Sequence, residues 1–229
     1  MPFNEVYLIG LTGNIACGKS TVLAMLRERG AHVIDADAVT RELQQPGQPV
    51  YQQIVATFGD DILIAPGGPI DRPKLGTIVF SDLAALRTLE QIVHPAVRER
   101  IMAWLDRVQR QDDKMTKWQD DTSVTLSPSH LVIPSRKVAV IDAIKLLEGG
   151  WKAIVNAVWV VTCTPEQQLA RLMSTRGMSE ADARTRIAAQ PPQSDKVAQA
   201  DVVIDNSGTP EETRAQVDAA WQAIVGNKV

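Results

Sequence analysis

Eight residues, Gly13-Asn14-Ile15-Ala16-Cys17-Gly18-Lys19-Ser20, carry the spacing G-x-x-x-x-G-K-[ST], which is that of a loop wrapped around phosphate. Small residues let successive N–H groups turn inward around phosphate oxygens, and the helix behind them adds its own unbonded donors. Lys19 can reach the β- and γ-phosphates, and the Ser20 hydroxyl can enter a Mg²⁺ shell. The context that the motif needs is present. Val6 to Leu11 is apolar and partly β-branched, so it reads as a buried strand, and Val22 to Leu26 reads as the opening of a helix. The loop predicts binding of a nucleoside triphosphate. It does not say whether the γ-phosphate goes to water or to an acceptor.

Asp35 and Asp37 follow a short apolar run, Val33-Ile34. Two carboxylates two residues apart near the phosphates allow a division of labour. Asp35 can help hold Mg²⁺ or its waters, while Asp37 accepts a hydrogen bond and then a proton from an acceptor hydroxyl. The competing reading is an Asp-rich turn in which Asp37 only caps the next helix. Phosphoryl transfer also needs cations over the developing charge. Arg171, Arg176, Arg184 and Arg186 flank Gly177 in a stretch that reads helix–turn–helix, of the kind that closes as a lid. The last three equally suit a solvated helix face.

These residues need a scaffold, and the chain has the means to build one. Its 229 residues are 45% hydrophobic, with a formal net charge of -3. That charge gives no general attraction to nucleic acid, and no signal or membrane-length apolar segment is visible, so a cytosolic protein is expected. The two cysteines, Cys17 and Cys163, make no metal or disulfide framework. Strands are expected over the first apolar run, over 32–35, from Lys137 to Ile141 and from Ala157 to Thr162, with a short one at Val202–Asp205. Between the second and third lies a helical lobe at 38–108, with helices at 38–43, 49–58 and 82–92, a break at His94-Pro95, and a further amphipathic helix carrying Val97, Ile101 and Leu105. Residues 109–136 read as a polar insertion. Thr164-Pro165 and Thr209-Pro210 signal helix starts, and Ser179 with Asp182 signals a weaker one. The succession predicts an α/β fold, a P-loop core with a parallel sheet and helices on both faces, a helical substrate lobe and a lid at 171–196.

GLTGNIACGKST at 10–21, VIDAD at 33–37, Arg41, Pro46-Gly47, Val79-Phe80, His94-Pro95, LARLM at 169–173, RIAAQ at 186–190 and ADVVIDNSG at 200–208 together resemble the dephospho-CoA kinase family. The resemblance covers about residues 6–221 apart from the insertion. It implies ATP and Mg²⁺ as cofactors, dephospho-CoA as substrate, and phosphoryl transfer to its ribose 3′-hydroxyl. By the same likeness Gly13 to Thr21 hold the ATP phosphates, Asp37 is the base, and Arg171 is the catalytic arginine of the lid. Arg41, Lys145 and Leu146 join Asp37 on the substrate side, and Gln190, Asn206, Ser207 and Gly208 lie near the nucleotide.

The chain departs from the family pattern in places. Asn14, Ala16 and Cys17 stand where two glycines and a serine are usual, and Ala16 fits without strain only at negative φ. Ile144 and Lys145 replace proline and leucine, so Lys145 either meets an acceptor phosphate or is simply solvated. Thr175 stands where arginine is frequent. The rival readings are a kinase of another small hydroxyl metabolite, an inactive nucleotide-binding homologue, and a regulatory ATPase.

Overall fold

The computed structural model describes residues 6–110 and 137–226. Most of the expected insertion, 111–136, lies outside them. The chain runs β1 (Val6–Thr12), α1 (Lys19–Glu28) and β2 (His32–Asp35), then α2 (Ala36–Leu43), α3 (Pro49–Phe58), α4 (Arg72–Ser81) and α5 (Leu83–Arg110). After the undescribed stretch come β3 (Lys137–Asp142), β4 (Ala157–Thr162), α6 (Pro165–Arg176), α7 (Glu180–Ala188), α8 (Gln193–Val197), β5 (Val202–Asp205) and α9 (Pro210–Val225). Two compact units result, one of residues 1–34 and 106–229, the other Asp35–Leu105.

In the first unit the strand order is β2-β3-β1-β4-β5. β1 pairs in parallel with β3 and β4, and β4 with β5, in the registers Ile9↔Val140, Leu11↔Trp159 and Val160↔Val203. Alternation sorts the strand residues by face. Ile9, Leu11, Val140, Trp159 and Val161 share one core with Val22 and Leu26 of α1 and with Val217 and Trp221 of α9. Gly10 faces the other way, where a Cβ would meet Leu146 Cδ2 at 2.7 Å, so this position stays a glycine to let Leu146 close over the strand. Burying side chains of this size contributes about 1.5–3 kcal/mol each.

The second unit is helical, as expected, but differs in two details. α5 runs unbroken from Leu83 to Arg110 with Pro95 inside it, where a break was expected, and it takes in Gln109 and Arg110, expected in the insertion. Proline in a helix interior costs about 3 kcal/mol. Val93, Val97, Ile101 and Leu105, spaced on one face around it, are all buried, and their burial outweighs that cost. α4 was not anticipated. Its start is nevertheless well signalled: Asp71 accepts from the Lys74 N–H and a proline sits in the first turn. Tyr51 Oη donates to the Gly68 carbonyl at 2.6 Å, and Leu63 bridges Ile70, which together pin the loop ahead of α4.

β1 passes directly into the phosphate loop. At Gly13 (φ 154°) a Cβ would fall 2.4 Å from the Val161 carbonyl oxygen, so the chain leaves the sheet at a place where only glycine fits. Ala16 has φ 58°, which corrects the condition set for it by the sequence. An L-residue in this left-handed region costs about 1–2 kcal/mol. Ala16→Gly should therefore stabilise the fold by up to about 1 kcal/mol once the extra freedom of glycine in the unfolded chain is subtracted. Calorimetry should find the unfolding midpoint raised by about 2–4 °C. A lowered midpoint would show that the loop holds no strain at this residue.

Candidate active site

α1 begins at Lys19, with Gly18 at its N-cap in left-handed conformation (φ 91°) and no side chain capping it. The Thr21 N–H bonds the Gly18 carbonyl at 3.0 Å, while the N–H groups of Lys19 and Ser20 are left to a ligand, and the loop before them curls over. Such a curl directs N–H groups inward and carbonyls outward, and the outward carbonyls need partners. Side chains from two other segments of the unit, α6 and the residue after β5, supply them. Gln168 Nε2 donates to the Ile15 carbonyl at 2.6 Å. Asn206 Nδ2 donates to the Cys17 carbonyl at 2.9 Å. Arg171 donates to the Ala16 carbonyl at 3.4 Å and to the Asn206 carbonyl at 2.8 Å. From the stretch after α7, Gln190 Oε1 accepts the Ile15 N–H at 2.8 Å, and Asn14 Nδ2 donates to the Pro191 carbonyl at 3.2 Å.

Local sequence explains how each of these side chains arrives. α6 starts at an Asx-like cap in which Thr164 accepts from the Gln167 N–H at 3.3 Å, and Gln168 and Arg171, three apart, share the face turned to the loop. α6 ends at Gly177 in left-handed conformation, and Ser179 caps α7 by accepting from the Asp182 N–H at 3.2 Å. β5 delivers Asn206, whose Oδ1 accepts from the buried Thr213 hydroxyl at 3.0 Å. α9 starts at a complete capping box of Thr209 and Glu212. Ser207 Oγ accepts from the Thr164 N–H at 3.1 Å, which joins the start of α6 to the end of β5.

Of the residues singled out from the sequence, Gly13 to Thr21, Arg171, Gln190, Asn206 and Ser207 thus come together in one unit. Lys19 Nζ donates to the Gly13 carbonyl at 3.1 Å. Ser20 and Thr21 are exposed at the head of α1, where a hydroxyl suits a hard cation held with triphosphate oxygens. Among the described residues no group of three or more His, Cys, Asp or Glu could hold a metal by itself, so such an ion would share the nucleotide's oxygens. Gly208 serves the capping box, since a Cβ there would meet Glu212 Oε2 at 1.9 Å. Lys145 is exposed, whereas Leu146, expected on the substrate, has its side chain wholly buried over Gly10.

Asp35, Asp37 and Arg41 belong to the second unit. The helix cap is Asp35 rather than Asp37: its Oδ1 accepts from the Ala38 N–H at 2.8 Å, and its Oδ2 faces Arg41 at 3.4 Å. Asp37 stands half-buried in the first turn of α2, with no hydrogen bond or ion pair among the described residues.

Several residues in this site were not found by sequence reasoning. Gln168, Gln193, Lys196, Thr213 and Cys163 all touch the loop or its supports. A signal existed for some of them, because Gln190, Gln193 and Lys196 recur every third residue. None existed for Cys163, whose Sγ lies 3.3 Å from Cys17 Sγ across 146 residues of chain. Both thiols are free and buried. The hydrogen bond from Cys163 lowers the Cys17 pKa from 9.0 to about 7 against the opposing effect of burial, helped by the charges of Lys19 and Arg171, while Cys163 is pushed up. A lowered folded pKa contributes stability that is complete above the unfolded value and is lost as pH falls through the folded one. Unfolding free energies of the protein and of Cys17→Ser should therefore diverge in favour of the thiol between pH 7 and 9. A difference that stays constant over that window would mean that Cys17 keeps an ordinary thiol.

Comparison with known proteins agrees with this geometry. The family model described as dephospho-CoA kinase matches residues 7–118 and 128–212. A dephospho-CoA kinase of Symbiobacterium thermophilum is 45% identical over 221 residues, 96% of this chain and 82% of the relative. Among solved structures, TT1252 from Thermus thermophilus superposes with a TM-score of 0.73 at 27% identity, covering 97% of this chain and 99% of its own. The dephospho-CoA kinase from Campylobacter jejuni shares the fold, with a TM-score of 0.63 at 23% identity over 96% of this chain and 98% of its own. A family model matched over most of the chain, with a relative 45% identical across 96% of it, makes the protein a member of the dephospho-CoA kinase family.

Proposed function

We propose that this protein transfers the γ-phosphoryl group of ATP to the 3′-hydroxyl of the dephospho-CoA ribose, giving CoA and ADP, in the cytosol. The observation that carries the reading is Arg171 bonded to the phosphate loop at Ala16 and to the adjoining loop at Asn206, which keeps a lid cation beside the loop that cradles phosphate. Dephospho-CoA as the acceptor comes from the family.

Each residue then has a task set by its chemistry. The inward N–H groups of the loop and the head of α1 bind the phosphates. Lys19 and Arg171 stabilise charge that grows on the phosphoryl oxygens as the bond to the leaving ADP lengthens. Ser20 and Asp35 would be the residues to hold Mg²⁺, which would supply further neutralisation of the phosphates. Asp37 holds the attacking hydroxyl and takes its proton late, as the loose transition state requires. Arg41 and Lys145 serve the acceptor's anionic groups.

ADP release should be measured with dephospho-CoA, adenosine and shikimate, with products weighed by mass spectrometry. Only dephospho-CoA should give a phosphorylated product, and Lys19→Ala should lower kcat by at least about 10²-fold. Product from another acceptor alone would refute the substrate assignment. The two carboxylates separate in a second experiment. Asp37→Asn should keep ATP affinity and lose about 10²-fold or more in kcat. Asp35→Asn retains a good helix cap, so its defect should appear as weakened dependence on Mg²⁺ with ATP. Undiminished turnover in both variants would leave catalysis to the cations alone.

A further inference from the structure

Lys196, in α8, is 4% exposed. Its Nζ makes one hydrogen bond, donated to the Ile144 carbonyl at 3.3 Å. That carbonyl is shared, since the Thr12 hydroxyl donates to it at 3.1 Å. No carboxylate forms an ion pair with Lys196 among the described residues. An ammonium has three donors, so two remain without a protein acceptor in a place closed to water. Burying an unpaired ammonium is costly. Burial duly pushes the Lys196 pKa down, Glu148 works against this, and the charge of Lys19 pushes it further down.

The position narrows what could relieve this cost. Thr12 is the last residue of β1 and the phosphate loop begins at the next one. Ile144 lies two residues beyond the end of β3, the strand beside β1. Lys196 therefore sits over the carboxyl ends of two adjacent parallel strands, where open α/β sheets bind their ligands. Its segment is already fastened to the loop, through Gln190 on the Ile15 N–H and through Gln193 Oε1, which accepts from Cys17 Sγ at 3.2 Å. Lys19 Nζ rests on the Gly13 carbonyl, and Lys196 Nζ rests on the carbonyl that the neighbouring Thr12 also binds, so two ammonium groups flank the start of the loop, an arrangement suited to an anion of more than one charge. Since Lys19 is the loop's ligand for the β- and γ-phosphates, that anion is the terminal end of the nucleotide.

We infer that Lys196 is a further cation of the phosphoryl-transfer site, whose ammonium leaves the Ile144 carbonyl to bind the phosphoryl group as it is transferred. This rests on the kinase reading above, but not on which acceptor is used. A purely structural lysine, tying α8 to the segment after β3, would look the same at rest and behave differently in kinetics.

The test compares wild type, Lys196→Met and Lys196→Arg at saturating ATP, Mg²⁺ and dephospho-CoA. Loss of a contact made in the transition state should lower kcat of K196M by about 10²-fold with the KM for ATP within about threefold. K196R, which keeps the charge, should recover most of the loss. A K196M kcat within about threefold of wild type overturns the inference, and so does a defect confined to KM. A direct measurement needs no variant to fold and no acceptor to be known. In a crystal of wild type grown with ADP, Mg²⁺ and aluminium fluoride, Lys196 Nζ should stand about 3 Å from the phosphoryl mimic. Finding it still on the Ile144 carbonyl, out of reach of the mimic, overturns the inference even in a fully active kinase. A wild type inactive with dephospho-CoA yet showing this contact would refute the acceptor and leave Lys196 in place.

Discussion

A loop that turns its N–H groups inward must satisfy its carbonyls from outside, and at Cys17 that task falls to the side chain of Asn206. Much of the first unit follows from this one hydrogen bond. Asn206 comes off β5 two strands away from β1, so β1, β4 and β5 must hold their parallel register for it to arrive. Its amide is aimed by the buried Thr213 hydroxyl, which is positioned by the capping box at the start of α9. Gly18 is bound to the same requirement, since a Cβ there would lie 1.9 Å from Asn206 Nδ2. The glycine of the motif is therefore fixed both by its left-handed φ and by the neighbour that anchors the loop.

What could be read from the sequence is what local chemistry determines. The strands reveal themselves as apolar runs, and the caps at Thr164, Ser179 and Thr209 act as their residue types require. Local preference misleads at Pro95, where buried residues on both sides of the proline carry the helix through it. Local chemistry also accounts for α4, whose Asp71 cap and first-turn proline are as legible as those of α6. The phosphate loop was plain from its spacing, but its supports were not. Asn206 was placed near the nucleotide by likeness alone, and Gln168 resembled any polar helix residue until the fold turned it onto the Ile15 carbonyl. Cys163 gave no warning, because burial is conferred on it by elements distant in sequence.

The loop also departs from its family's usual composition in ways that the structure partly explains. Asn14 uses its amide to hold the Pro191 carbonyl, a contact that no glycine could make, and so ties the loop to the segment that carries Gln193 and Lys196. Cys17 fills a fully buried site and meets Cys163, where a sulfur pair packs volume that two smaller hydroxyls would leave open. Ala16 gains nothing comparable and keeps its unfavourable φ.

Lys19 and Arg171 rest on carbonyls of the loop itself, Arg171 also on the Asn206 carbonyl, and Lys196 rests on a carbonyl beyond β3. Lys19 donates to Gly13, Arg171 to Ala16 and Lys196 to Ile144, all carbonyl acceptors at 3.1–3.4 Å. Bonds from such groups to a phosphate oxygen are shorter and roughly twice as strong as neutral ones, so an arriving phosphate outcompetes each carbonyl. The exchange needs no large rearrangement, because each side chain already stands beside the loop and has few rotamers left to lose. Its net value is the difference between two hydrogen bonds rather than the whole of one. That difference grows as charge accumulates on the phosphoryl oxygens, whereas a carbonyl's attraction stays constant. In the phosphoryl-transfer reading, cations resting on carbonyls therefore favour the transition state over the bound substrate, which is the condition for binding energy to appear as rate.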